Sequence, residues 1–179
     1  MEVSLERELV YSGRILDLEK HKVKLADGSE SFREVVRHSG AVAVVAFEGE
    51  KLLLVRQYRF PVGKYMLELP AGKLDGPEQP EQGARRELLE ETGYSPLSIE
   101  LLTTIETTPG FSDEIIHIFL AEVRKTGVSH PDEGEFVESV LMNTADVLDA
   151  IMNGEITDSK TISGFLLALK RRESQIPHG

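Results

Sequence analysis

Glu87 is followed by Glu90 three residues on and by Glu91 four residues on. On a helix each residue advances about 100°, so all three carboxylates fall on one face, within about 100° of arc. Like charges at this spacing cost an isolated helix about 0.2–0.5 kcal/mol per pair, which a cation or solvent has to offset. Clustered carboxylate oxygens are hard ligands and select Mg²⁺, Mn²⁺ or Ca²⁺. Cations held in this way can position an attacking water and lower its pKa. Taken alone, the triad is also open to a simpler reading, a solvated acidic face partly neutralised by Arg85 and Arg86.

The flanking sequence indicates what must position these residues. Strong helix formers run over 81–92, and Gly93 followed by Pro96 is a stop signal. Before the helix, Pro61, Gly63, Pro70, Gly72, Gly76, Pro77 and Pro80 predict mostly loop around one short strand at 66–69. Apolar runs at 41–47 and 52–57, parted by Glu48-Gly49-Glu50, predict a buried hairpin that leads into Arg56, Tyr58 and Arg59. The first forty residues read as short strands, with Asp27-Gly28 as a hairpin turn, forming an edge layer or a dimer arm. Strands are expected at 99–104, 115–123 and 137–143, and helices at 144–153 and 160–172. Ile162, Phe165, Leu166 and Leu169 give the last helix an apolar stripe of the kind that packs on a sheet. The expected class is α+β, a mixed β-sheet sandwiched by helices with an N-terminal antiparallel strand layer. Residues 1–40 would be the arm and 41–179 the main domain.

Composition removes other classes. The 179 residues, 40% hydrophobic and 28% charged, suffice for one sizeable core. Fifteen glycines and eight prolines are near the ordinary share, which excludes collagenous and disordered chains. With 31 acidic against 20 basic residues the net charge is −11, and generic nucleic-acid binding is disfavoured. There is no cysteine, hence no disulfide framework, thiol nucleophile or thiolate metal site. The histidines, His21, His38, His117, His130 and His178, show no metal-ligand spacing. The longest apolar run, 41–47, is far short of the ~20 residues that span a bilayer, and charges occupy 1–14 where a signal peptide is apolar. A cytoplasmic protein without membrane contact is expected.

From Gly72 the chain continues to Glu78, then Arg86-Glu87-Leu88, Glu90-Glu91, and Gly93 followed by Tyr94. This resembles the Nudix box position for position, with Tyr94 in place of the usual aliphatic residue as a mild departure. The resemblance implies a loop-helix-loop in which Glu87, Glu90 and Glu91, with the Ala71 carbonyl, hold Mg²⁺ (or Mn²⁺) on a diphosphate. Glu90 and Glu91 would also count as catalytic, and Arg86 and Glu78 would brace the helix by ion pairing.

Further positions resemble the ADP-ribose pyrophosphatases within that family: Pro109, sixteen residues after Gly93; Pro70-Ala71-Gly72; Gln57-Tyr58-Arg59; and the acidic run 132–138. The similarity extends over most of 32–138 and implies hydrolysis of nucleoside diphosphate sugars, ADP-ribose first. It also implies that Glu135, with Glu133 and Glu138 as alternatives, orients or deprotonates water. Arg59 would bind the substrate phosphate, with Arg56 and Arg37 as weaker candidates. Phe32 would stack on the adenine, reaching across a homodimer that exchanges N-terminal strands. Relatives also handle GDP-mannose and other nucleotide sugars, and a Nudix-fold sensor that binds ADP-ribose without turnover is the alternative from another class.

Overall fold

The structure is a computed structural model and describes residues 1–131, 134 and 136–174. It divides into two compact units, one of residues 1–40 with 106–115 and one of 41–105 with 116–179.

In the first unit, β1 (Val3–Ser12), β2 (Leu16–Lys24) and β3 (Glu30–His38) form an antiparallel meander. The β2–β3 turn falls at Asp27-Gly28, as expected, and Asp27 accepts hydrogen bonds from the Ser29 backbone and hydroxyl. Every residue of β1 is exposed, and Val23 is the one buried hydrophobic residue among those described in this unit. Segment 106–115 is laced onto β3: Val36 N–H donates to the Phe111 carbonyl and Asp113 N–H to that of Val36.

The second unit contains a seven-stranded mixed sheet. Its main path runs β10 (Glu138–Asn143), β5 (Lys51–Arg59), β4 (Ala41–Glu48), β9 (Ile115–Lys125), β8 (Tyr94–Glu106). The short strands β6 (Lys64–Glu68) and β7 (Ala71–Lys73) add to β5 and β4. β4 is antiparallel to β5 and β7 and parallel to β9. Its run of buried residues is continuous because both faces are covered, as expected for a central strand. Ala43, Val45 and Phe47 pack with Val147 and Ala150 of α2 (Thr144–Met152) and Phe165 and Ala168 of α3 (Ser159–Glu173). Val42, Val44 and Ala46 point the other way, onto Ala84 and Leu88 of α1 (Pro80–Thr92). The sheet is thus sandwiched by helices, as its two-residue alternation requires.

Helix α1 ends where the chain turns left-handed. Gly93 has φ of 73° and its N–H donates to the Leu89 carbonyl. Its carbonyl in turn accepts from Thr126 and Gly127 N–H. Tyr94 is buried in the α1-side core, which explains how a bulky aromatic serves at a position the box fills with an aliphatic side chain. A Cβ on Gly93 would lie 2.6 Å from the Gly127 carbonyl oxygen. Gly93→Ala is therefore expected to lower stability by about 1–3 kcal/mol in urea titrations, combining strained φ with that collision. An unchanged midpoint would show that the close approach is absent.

Candidate active site

Helix α1 carries charge against its own electrostatics. Pro80 opens it, where a missing N–H costs nothing. Ala84, Leu88, Glu91 and Thr92 lie on the buried side, so Glu91 follows the apolar stripe into the protein. Glu90 and Glu91 sit in the last turn, where the helix macrodipole disfavours a carboxylate by about 0.3–1 kcal/mol, and no basic residue stands in that turn.

Arg86 supplies the offset. Its Nε and Nη2 donate to the two oxygens of Glu78 at 3.0 and 2.9 Å, and Nη2 also donates to the Lys73 carbonyl. Nη1 donates to Glu87 at 2.8 Å and Glu90 at 3.0 Å. These bonds use all five donors of the guanidinium. Arg86 hydrogen bonding is the main reason the Glu78 carboxyl stays below its ordinary range. The expected ion pair between Arg86 and Glu78 is present.

The backbone of β7 meets two of the three triad carboxylates, Glu91 and Glu87. Glu91, 4% exposed, accepts the Ala71 N–H at 2.9 Å. Glu87 lies against Gly72, where a Cβ would come within 1.9 Å of its carboxyl carbon. The glycine thus leaves a cradle for that carboxylate. The three groups present only hard oxygen donors, and this chemistry fits a divalent cation. They are not drawn into a finished cage: among the described residues no three acidic or histidine side chains are gathered that closely.

A second charged cluster adjoins the first. Arg59 Nε and Nη2 each donate at 2.7 Å to Glu68, which is 2% exposed and also accepts from Lys160 Nζ. Arg59 is raised above its ordinary pKa chiefly by the Glu68 hydrogen bonds, with the charges of Glu91 and Asp158 adding to the effect. Glu91 is thereby within electrostatic reach of Arg59. Arg56 stacks over the Tyr65 ring at 4.4 Å and pairs with Glu138 at 3.5 Å.

Phe32 and Arg37 belong to the other unit. Phe32 is exposed, not a core residue, with Lys20 Nζ 4.8 Å from its ring centroid. Arg37 donates to Glu19 and to Asp113, each at 3.0 Å. Glu19 is itself buried and also pairs with Arg7 and His21. Glu133 and Glu135 lie outside the described residues, as does His178. The segment leading to them is anchored, since His130 N–H donates to the Glu90 carbonyl at 2.7 Å.

The sequence matches the NUDIX domain over residues 37–163. The chain belongs to the Nudix family. It is 42% identical to an ADP-ribose pyrophosphatase of Bacillus subtilis (strain 168), covering 89% of this chain and 88% of that protein. It is 43% identical to a methanol dehydrogenase activator of Bacillus methanolicus, covering 90% and 89%. A crystal structure of an ADP compounds hydrolase superposes with a TM-score of 0.87 at 22% identity, covering 98% of this chain and 96% of that one, a likeness of fold.

Within this Nudix unit the expected residues Ala71, Glu87, Glu90, Glu91 and Arg59 share one region. Glu68, Asp158, Lys160 and Thr161 carry part of the same charge system and were not among the expected residues. A signal existed: Lys160 shares the buried side of α3 with Thr161, Gly164, Phe165 and Ala168, where an ammonium is out of place.

Burial pushes the Glu68 carboxyl up, but the Arg59 hydrogen bonds and the Lys160 charge outweigh it and hold the group at about 2, from an ordinary 4.5. A lowered carboxyl contributes stability that is present above the ordinary pKa and lost as pH falls through the folded value. Urea midpoints of the wild type should therefore fall more steeply than those of Glu68→Gln between pH 4.5 and about 2, the interval set by the two values. Parallel slopes would contradict the pairing.

Proposed function

We propose that this chain is a divalent-metal-dependent hydrolase of nucleoside diphosphate sugars, acting preferentially on ADP-ribose to give AMP and ribose 5-phosphate. The observation that carries this reading is the meeting of the α1 carboxylates with the β7 backbone beside the Arg59 guanidinium. The Bacillus subtilis relative's activity supports the substrate, as does Pro109 in its position after the box.

Glu87, Glu90 and Glu91, with the Ala71 carbonyl, are the groups that would hold the metal, Mg²⁺ first and Mn²⁺ as the alternative. A metal bound there neutralises diphosphate oxygens and lowers the pKa of a water. Glu87 and Glu90 would exchange an Arg86 hydrogen bond for it, while the two Glu78 bonds keep Arg86 in place. Arg59 is assigned to the substrate phosphate, since a guanidinium fork matches phosphate oxygens and its side chain is 41% exposed. Arg56, stacked over Tyr65 and paired with Glu138, and Arg37, held between Glu19 and Asp113, are secondary candidates. Glu135 is assigned to orienting or deprotonating the water, and Phe32 to stacking on the base. In keeping with its lack of cysteine, the protein is assigned to a cytoplasmic setting; among the described residues no helix is long and apolar enough to cross a membrane.

We further infer a homodimer built through residues 1–40. β1 exposes Val3, Leu5, Leu9, Val10 and Tyr11 together, an apolar load that a lone strand layer leaves in water and that strand exchange with a second copy would bury.

Phosphate release from ADP-ribose, GDP-mannose, UDP-glucose and diadenosine polyphosphates, each with and without Mg²⁺, tests the activity. ADP-ribose should lead in kcat/KM and only with metal, and Glu91→Gln should lose orders of magnitude in kcat while keeping its melting temperature within a few degrees. Binding of ADP-ribose without turnover would make the protein a sensor and overturn the assignment. A GDP sugar in the lead would keep the chemistry and change the substrate. For the dimer, light scattering should give twice the chain mass for the wild type and the chain mass for Leu5→Glu/Val10→Glu; a monomeric wild type would remove that part.

A further inference from the structure

The first turn of α3 reaches the active-site strand end through buried polar groups that none of the assigned roles use. Lys160, 8% exposed, donates from Nζ to Glu68 at 2.5 Å and lies 3.1 Å from Asp158. Asp158 caps the helix by accepting the Thr161 N–H at 3.0 Å and the Thr161 hydroxyl at 2.6 Å. Thr161, fully buried, accepts the Leu69 N–H at 2.9 Å. Arg59, Glu68, Lys160 and Asp158 thus form a row of alternating charge.

Packing does not explain that row. A buried ion pair is often matched or bettered in stability by apolar side chains of the same volume, and the buried side of α3 that carries Lys160 continues as Gly164, Phe165 and Ala168. Geometry gives the pair another purpose. Glu68 is gripped from two sides: its Oε1 takes Arg59 Nε, and its Oε2 takes both Arg59 Nη2 and Lys160 Nζ. With Lys160 in place both Glu68 oxygens are engaged, Oε2 twice, which opposes rotation of the carboxylate away from its two-point contact with Arg59. Arg59 is then held by its Nε–Nη2 edge with the rest of a planar fork fixed in direction, and Glu91 lies within electrostatic reach.

We propose that Lys160 is a positioning residue for substrate binding: by clamping Glu68 it fixes the plane of the Arg59 guanidinium for the diphosphate. This rests on the assignment of Arg59 to the substrate phosphate made above. Lys160 itself touches no substrate. Its loss weakens binding more than chemistry, because the α1 carboxylates are held separately by Arg86 and the β7 backbone.

The test combines kinetics with a measurement that needs no substrate. Lys160→Met should raise KM for ADP-ribose about 10-fold with kcat within about 3-fold, and Lys160→Arg should recover most of the loss. In an Arg59→Ala background, adding Lys160→Met should change KM by less than about 2-fold, since the two substitutions act through one interaction. By nitrogen-15 NMR of arginine side chains, the Arg59 Nε–H should exchange slowly in the wild type and in Lys160→Arg, and fast in Lys160→Met. Lys160→Gln serves the same comparisons if the methionine variant does not fold. Full multiplicativity in the Arg59→Ala background, or an Arg59 Nε–H that stays protected without Lys160, overturns the proposal. A wild type that hydrolyses no nucleoside diphosphate sugar instead defeats the functional reading, and the exchange measurement still decides whether Lys160 holds Arg59.

Discussion

The fork of Arg86 is the interaction on which the rest of the site depends. Three carboxylates line the C-terminal half of a helix whose dipole opposes the two in its last turn, and one guanidinium with every donor engaged, Nη1 on Glu87 and Glu90, offsets much of that charge. Arg86 can do this only where Glu78 and the Lys73 carbonyl meet it. Glu78 is set by the turn in which its N–H donates to the Asp75 carbonyl and its carboxylate accepts the Asp75 N–H. Lys73 is set by the pairing of β7 with β4. Loop, strand and helix therefore behave as one object, held to the middle of the sheet.

The two faces of that sheet meet at the short stretch between β6 and β7. Leu69 N–H goes to Thr161 on the α3 side, the Pro70 carbonyl accepts from Val44 in the central strand, and Ala71 N–H goes to Glu91 on the α1 side. Pro70 has no N–H to place, which suits a segment whose backbone groups are each committed to a different element. Both helical layers thus fix the same few residues, and the α1 carboxylates and Arg59 share a frame.

Much of this was legible in the sequence where spacing carries the information. α1 follows from its helix formers and stop signal, β4 and β5 from their apolar runs, and the box from its fixed intervals. The stretch before α1, expected to be mostly loop around one short strand at 66–69, holds that strand as β6 and adds a 3-10 turn at Phe60–Val62 and β7, which is only three residues long and has its partner distant in sequence. β8 begins at Tyr94 and runs through Pro96, where Gly93 and Pro96 predicted a break; the left-handed cap passes directly into the strand. The N-terminal strands are longer than expected, since exposed strands give little alternation to read. What stayed hidden were pairings across long separations: Glu68 with Lys160, and Arg37 with Glu19 and Asp113. Apart from Lys160, which falls on the buried side of α3, each of these residues taken singly reads as surface charge.

The alternating row from Arg59 to Asp158 also constrains how the protein can change over generations. Replacing Glu68 leaves Lys160 ionised and buried, and replacing Lys160 or Arg59 removes one of the two cations that offset the buried Glu68 charge, states worse than either the complete row or an all-apolar substitute. The route between those two solutions passes through an unfavourable intermediate whichever residue changes first. Arg59, Glu68 and Lys160 are therefore expected to change together rather than one at a time.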